Sequence, residues 1–195
     1  VATGPFWPHA ASADWWDGPD RFKRINRAEV SRIQNETALR LLGAQSGRKL
    51  DVGGPSCGDD AETIKSVYEG WDICNVAPSH PAVTITCDAC ASPFSGELFR
   101  VVATFHAIEH MHDPGQFLRE SARILAPGGL LYIVCPHKAF VSHDMSLMAL
   151  GERCYSEWSP DELLKLFGET LPTFKLLGFN TRQNKFDFEI FAKKP

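Results

Sequence analysis

The chain has 195 residues, 44% of them hydrophobic and 23% charged, which suits one domain of ordinary size with a real core and excludes disorder. Its longest apolar run, Leu130 to Cys135, is only a strand's worth, so no membrane-spanning helix is expected, and the N-terminus lacks the pattern of a secretory signal. A net charge of −4 offers neither nucleic acid nor an anionic membrane the basic face it needs, and six sparse cysteines read as free thiols of a cytoplasmic protein.

Val1 to Pro19 is irregular, broken by Gly4, Pro5, Pro8, Gly18 and Pro19. It carries Phe6, Trp7, Trp15 and Trp16, apolar surface that an arm must bury against something, as a lid would. From Asp20 a helical pattern places Phe22, Ile25, Val30, Ile33, Thr37 and Leu41 near one face, with Gly43 and Gly47 ending it. A first strand, Leu50 to Val52, runs into Gly53-Gly54-Pro55-Ser56-Cys57-Gly58, and a short helix fits Asp59 to Ser66. A second strand is read from about Val67 to Ile73 with Asp72 at its end, a third from Val83 to Cys87, and a fourth from Leu98 to Phe105. Gly115 to Ala126 is amphipathic and stops at Pro127-Gly128-Gly129; Leu130 to Cys135 is a strand buried on both faces. Ser159-Pro160-Asp161-Glu162 starts a helix with an N-cap, a proline in the first turn and two acids. Thr173 to Phe179 and the alternating Phe186 to Phe191 close the chain as an antiparallel pair. Strands interleaved with helices predict an α/β open, mostly parallel sheet. One domain is expected: an arm and helix over 1–48, a ligand-binding core over 49–137, and an acceptor-side segment with the closing hairpin over 138–195.

In such a sheet ligands bind beyond the carboxyl ends of the strands. Asp51 and Gly53, Asp72, Asp88, His106 and His137 are all read at such ends. A glycine turn lets a ligand approach the backbone, an acid ending the next strand suits two ribose hydroxyls, and Asp88 suits an exocyclic amine. Together they describe a nucleoside. Neither G-x-G-x-x-G nor G-x-x-x-x-G-K-[ST] occurs, so neither a dinucleotide nor a nucleoside triphosphate is expected.

Five segments, Lys49-Leu50-Asp51-Val52-Gly53-Gly54, Tyr68-Glu69-Gly70-Trp71-Asp72-Ile73, Asp88-Ala89 with Pro93-Phe94, Phe105-His106-Ala107-Ile108-Glu109-His110 and Arg123 to Gly129, occur in that order. They resemble the successive motifs of small single-domain class I S-adenosylmethionine-dependent methyltransferases. The resemblance implies a Rossmann-like seven-stranded sheet with helices on both faces and an antiparallel terminal strand, and S-adenosyl-L-methionine as cofactor. It implies that Asp51, Gly53, Gly54 and Pro55 line the methionine part, that Asp72 and Ile73 meet the ribose, that Asp88 and Ala89 lie by the adenine, and that Phe105 and His106 stand near the sulfonium. Departures are plain: Pro55 and Cys57 replace glycines of the usual D-x-G-x-G-x-G loop, and the connections after the first two strands are too short for full helices.

A hydroxyl acceptor must lose its proton, which suits histidine near neutral pH. His110 is the first choice as base, oriented by Glu109, with His137, His106 and His143 as further candidates. The alternative is alignment by shape alone, Glu109-His110 merely fixing the loop. The long segment Pro136 to Trp158, with His143, Asp144, Tyr155 and Trp158, reads as an acceptor-binding lid. The expected reaction is O-methylation of a small molecule, first of all a glycan or other carbohydrate hydroxyl. The shortened chain leaves its pocket to be finished by its own N-terminus or by a partner, a homodimer included. Two rivals stand beside it: a degenerate methyltransferase-like domain that binds without catalysis, and a metal enzyme using His106-x3-His110-x-His112-Asp113. Cys87-x2-Cys90 lacks the second pair that a zinc site wants, so no metal is expected.

Overall fold

The computed structural model describes residues 27–57, 60–78, 80–139, 156–182 and 186–195. In chain order these form α1 (Arg27–Gly43), β1 (Lys49–Val52), α2 (Ala61–Val67), β2 (Trp71–Asn75), β3 (Ile85–Thr86), β4 (Phe99–Phe105), α3 (Pro114–Ile124), β5 (Leu125–Pro136), α4 (Pro160–Thr170), β6 (Lys175–Thr181) and β7 (Asp187–Lys193). Single 3-10 turns lie at Ala89–Ala91 and Ile108–His110. The strands make one seven-stranded sheet in the order β3-β2-β1-β4-β5-β7-β6. β1 to β5 run parallel, and β7 is antiparallel to both β5 and β6. The expected fold class is the one observed. Strand order reverses between β1 and β4, the place where an open sheet leaves a crevice for a ligand.

Alternation along β4 divides the core between two faces. Val101, Ala103 and Phe105 pack with Ala38, Leu39 and Leu42 of α1 and with Ile64 and Val67 of α2. Val102 packs with Phe117, Leu118 and Ile124 of α3 and with Leu163 and Phe167 of α4. Local chemistry fixes the helix starts: the Asp60 carboxylate accepts from Thr63 N at 2.7 Å, and Ser159 and Glu162 form a capping box. Lys138 and the Ser159 cap hold the Glu162 carboxyl down at about 2.

Three expectations need correction. β2 begins at Trp71 rather than near Val67, so Asp72 is its second residue and Asn75 its last. α3 ends at Ile124, and β5 begins at Leu125 and runs through Pro127-Gly128-Gly129, which are absorbed as a register shift opposite Phe99 and Val101. The buried stripe of α1 is Ser31, Asn35, Ala38, Leu39 and Leu42, whereas Ile33 and Leu41 are 38% and 44% exposed. The helix is thus rotated from the face its apolar residues suggest. The shortened α2 and the lack of a helix between β2 and β3 among the described residues agree with expectation. The aromatic arm, His143, Asp144 and Tyr155 lie outside the described residues.

Candidate active site

At the β1 end, Gly53 N donates to Cys74 O at 2.8 Å, extending the ladder by one step. Gly53 is exposed with φ +86°, and a Cβ there would stand 2.5 Å from Ala107 Cβ. The β1 and β4 loops meet at this glycine, and only a bare backbone lets them. At Gly54 a Cβ would come within 2.1 Å of Asp51 Oδ2. Asp51 is completely buried under the turn, accepting from Ser56 Oγ at 3.2 Å and from the Tyr68 hydroxyl. Tyr68 Oη in turn accepts from Ser56 N at 2.6 Å. Burial pushes the Asp51 carboxyl up to about 6, against the pull of these bonds. Asp51 therefore braces the loop from beneath, while Gly53, Pro55 and Ser56 are the loop residues that keep some exposure.

Asp72 does not end its strand, the position on which its expected role at the ribose rests. It pairs across the sheet with Leu50, near the amino ends of the strands. There its carboxylate accepts from Arg48 Nη2 at 2.8 Å and Arg48 Nε at 3.2 Å. Ile73 is 2% exposed and belongs to the core. The carboxyl end of β2 is Asn75, whose amide nitrogen donates to Gly54 O at 3.0 Å and Gly53 O at 3.3 Å. Val76 follows, 77% exposed. Asp88 caps the 3-10 turn over Ala89–Ala91 by accepting from Cys90 N at 2.8 Å, and stays exposed beside Ala89.

The β4 end carries the histidines. Phe105 is core, its ring tilted against Tyr132 at 5.6 Å, so it does not face the rim as expected. His106 takes a left-handed backbone with φ +53°, a conformation that costs a non-glycine residue about 1 kcal/mol or more. Its Nε2 is buried and lies 3.4 Å from Oδ2 of Asp187 on β7, a carboxylate with no exposure that also accepts from Ser31 Oγ of α1 at 2.8 Å. Glu109 is buried, with its carboxyl pushed up by desolvation against the pull of His106 and His110. His110 Nε2 is 3.8 Å from Glu109 Oε1. His137 follows β5; its Nδ1 accepts from Ala139 N at 3.0 Å and its ring meets Phe188 edge-on.

Sequence reading missed Asp187, Ser31, Tyr68 and Asn75. It also missed a second buried network, in which Arg182 Nη1 donates to Asn35 Oδ1 at 2.7 Å, Arg182 Nε lies 3.5 Å from Glu189, and the Tyr132 hydroxyl donates to Glu189. These two networks explain the rotation of α1: Ser31 and Asn35 face inward because buried charges on and beside β7 need partners there.

The rival metal set does not assemble. Among the described residues His112 leaves His106 and His110 and approaches Asp88 and Cys90, their ligand atoms lying within 4.8 Å of one another. Asp88 and Cys90 in that corner also bond within the protein. The Cys90 thiol, pushed up to about 11 mainly by burial, lies 3.4 Å from Asp113 O. Cys87 approaches Cys74, at 3.0 Å between sulfurs, not Cys90.

A sequence model of the methyltransferase-domain family matches residues 22–170. The chain belongs to that family. The methyltransferase is similar to the ubiquinone biosynthesis O-methyltransferase of Caulobacter sp. strain K31, 26% identical over 177 residues covering 77% of this chain and 68% of the relative. Against that of Escherichia coli O127:H6 it is 27% identical over 134 residues, covering 62% and 55%. Its fold matches a Thermotoga maritima structure described as an S-adenosylmethionine-dependent methyltransferase and possible histamine N-methyltransferase, with TM-score 0.62, 15% identity, and 90% and 95% of the two chains covered. The cofactor is S-adenosylmethionine, and the rim fits it: a bare glycine turn, a polar amide at Asn75, an exposed apolar Val76 for a base to cover, and the Asp88 carboxylate for an amine. No described helix is long and apolar enough to cross a membrane.

Proposed function

We propose that this methyltransferase O-methylates an aromatic hydroxyl of a small molecule, with Gly53, Pro55 and Ser56 around the methionine part of the cofactor, Asn75 at the ribose, and Asp88 and Ala89 at the adenine. The observation that carries the reading is at the end of β4, where His106 precedes Ala107, the residue that packs on Gly53, and has buried Asp187 beside its ring. The bound cofactor supplies a methyl group already activated on a sulfonium. What the protein adds is alignment of the acceptor along the line of displacement, exclusion of water, and a base for the hydroxyl proton.

Imidazole is matched in basicity to a phenolic hydroxyl, whose ordinary pKa is about 10, far better than to a sugar hydroxyl. The O-methyltransferase names of the relatives support oxygen as the acceptor atom. We therefore favour an aromatic hydroxyl over the carbohydrate hydroxyl that the sequence first suggested. The experiment offers methyl-labelled S-adenosylmethionine with catechol, with glucose and with histamine in parallel. Label in O-methylated catechol supports the reading. Label in the sugar or on histamine nitrogen overturns the aromatic hydroxyl, and label in none of them overturns it too.

A further inference from the structure

We propose that His106 and Asp187, braced by Ser31, form an imidazole–carboxylate dyad that takes the acceptor's proton, a role the sequence assigns to His110 and Glu109. The inference rests on the methyl-transfer reading above and deepens it.

Three elements far apart in the chain converge on one ring. β4 presents His106, β7 presents Asp187 and α1 presents Ser31. The left-handed backbone of His106 turns its side chain at the point where β4 meets the glycine turn, and Ala107 beside it touches the space that Gly53 leaves. Such strain persists only where the surroundings over-determine it. With Asp187 facing Nε2, the carboxylate selects the tautomer that carries hydrogen on Nε2. Nε2 is buried while a quarter of the side chain stays exposed, so the Nδ1 side is the edge that a ligand can meet. At 3.4 Å the buried Nε2 makes no hydrogen bond to Asp187 in this structure, and the contact must tighten as positive charge develops on the ring.

Among the described residues the titratable groups around this ring are Asp187 from β7 and Glu109 and His110 from the adjoining 3-10 turn. Glu109 is the weaker orienting partner: it lies 3.8 Å from His110, and its burial favours the protonated, uncharged form. Asp187 instead has a hydroxyl donor in Ser31 to hold it. The step balances simply. The acceptor hydroxyl proton passes to His106 Nδ1, the oxygen lone pair forms the new oxygen–carbon bond, and the carbon–sulfur bond breaks with its pair left on sulfur. The resulting imidazolium faces Asp187.

The test uses the full chain and three variants: His106→Asn, which suits a left-handed backbone, Asp187→Asn, and His110→Gln. S-adenosylhomocysteine titration first establishes that each variant still binds, within about threefold of wild type. Methyl transfer to catechol should then fall by about a hundredfold or more in His106→Asn. In Asp187→Asn it should fall by about tenfold or more through kcat, with KM for catechol nearly unchanged. His110→Gln should cost clearly less than His106→Asn. Nitrogen NMR of the wild-type S-adenosylhomocysteine complex should show His106 protonated at Nε2, and mixed tautomers in Asp187→Asn. Wild-type kcat in His106→Asn, a loss in His110→Gln equal to that in His106→Asn, or a proton on Nδ1 each overturns the dyad. A wild-type protein that binds S-adenosylhomocysteine but leaves catechol unmethylated overturns the aromatic acceptor, and the tautomer then decides the dyad by itself.

Discussion

Asp51→Asn tests the account of the glycine turn through stability. The folded carboxyl sits at about 6 against an ordinary value of 3.8 because it is buried, with Tyr68 and Ser56 only partly offsetting the loss of water. Below pH 3.8 both folded and unfolded chains carry the proton. As pH rises, the unfolded chain releases it first, so native stability falls until pH passes about 6 and then levels. The gap corresponds to about 3 kcal/mol between those limits. An amide cannot ionise, so Asp51→Asn should gain on wild type by most of that ~3 kcal/mol between pH 4 and pH 7.5. The assay is urea unfolding of both proteins at pH steps across that interval, followed by tryptophan fluorescence and extrapolated linearly. A difference that stays flat with pH, or that turns against the variant as pH rises, would refute burial as the dominant influence on Asp51.

Gly54→Ala puts a methyl group 2.1 Å from Asp51 Oδ2, so the turn must shift; S-adenosylhomocysteine affinity should fall at least about tenfold by calorimetry, with a lowered melting temperature. Arg182→Ala strips the buried partner of Glu189 and of Asn35, and should cost about 3–5 kcal/mol in denaturant unfolding. A loss below about 1 kcal/mol would mean that the network contributes little.

What was legible in the sequence was what local chemistry decides. Ser159-Pro160 with Glu162 specifies the start of α4, and its capping box is observed. The shortened crossovers were readable from residue counts, and the two-faced burial of β5 from its composition. What failed depended on distant partners. Asp72 reads as the acid that ends a strand, but pairing with β1 as far as Cys74 and with β3 at Asn75 carries β2 further. Asp187 and Glu189 look like the solvent face of an alternating tail, yet both are buried because α1 covers them. The rotation of α1 follows from the same contacts, in which Ser31 meets a residue 156 positions away. Apolar periodicity cannot reveal a helix whose inward face is chosen by hydrogen bonds to buried charge.

The ribose contact is expected at Asp72 from the sequence motif and proposed at Asn75, and one titration separates the two. S-adenosylhomocysteine is titrated calorimetrically into the wild type, Asp72→Ala and Asn75→Ala. Asp72 is engaged by Arg48 near the amino ends of the strands, so Asp72→Ala should bind within about twofold of wild type, whereas Asn75→Ala should lose about tenfold, the worth of one polar contact. Loss of binding in Asp72→Ala with wild-type affinity in Asn75→Ala would contradict the register of β2 and the pocket built on it.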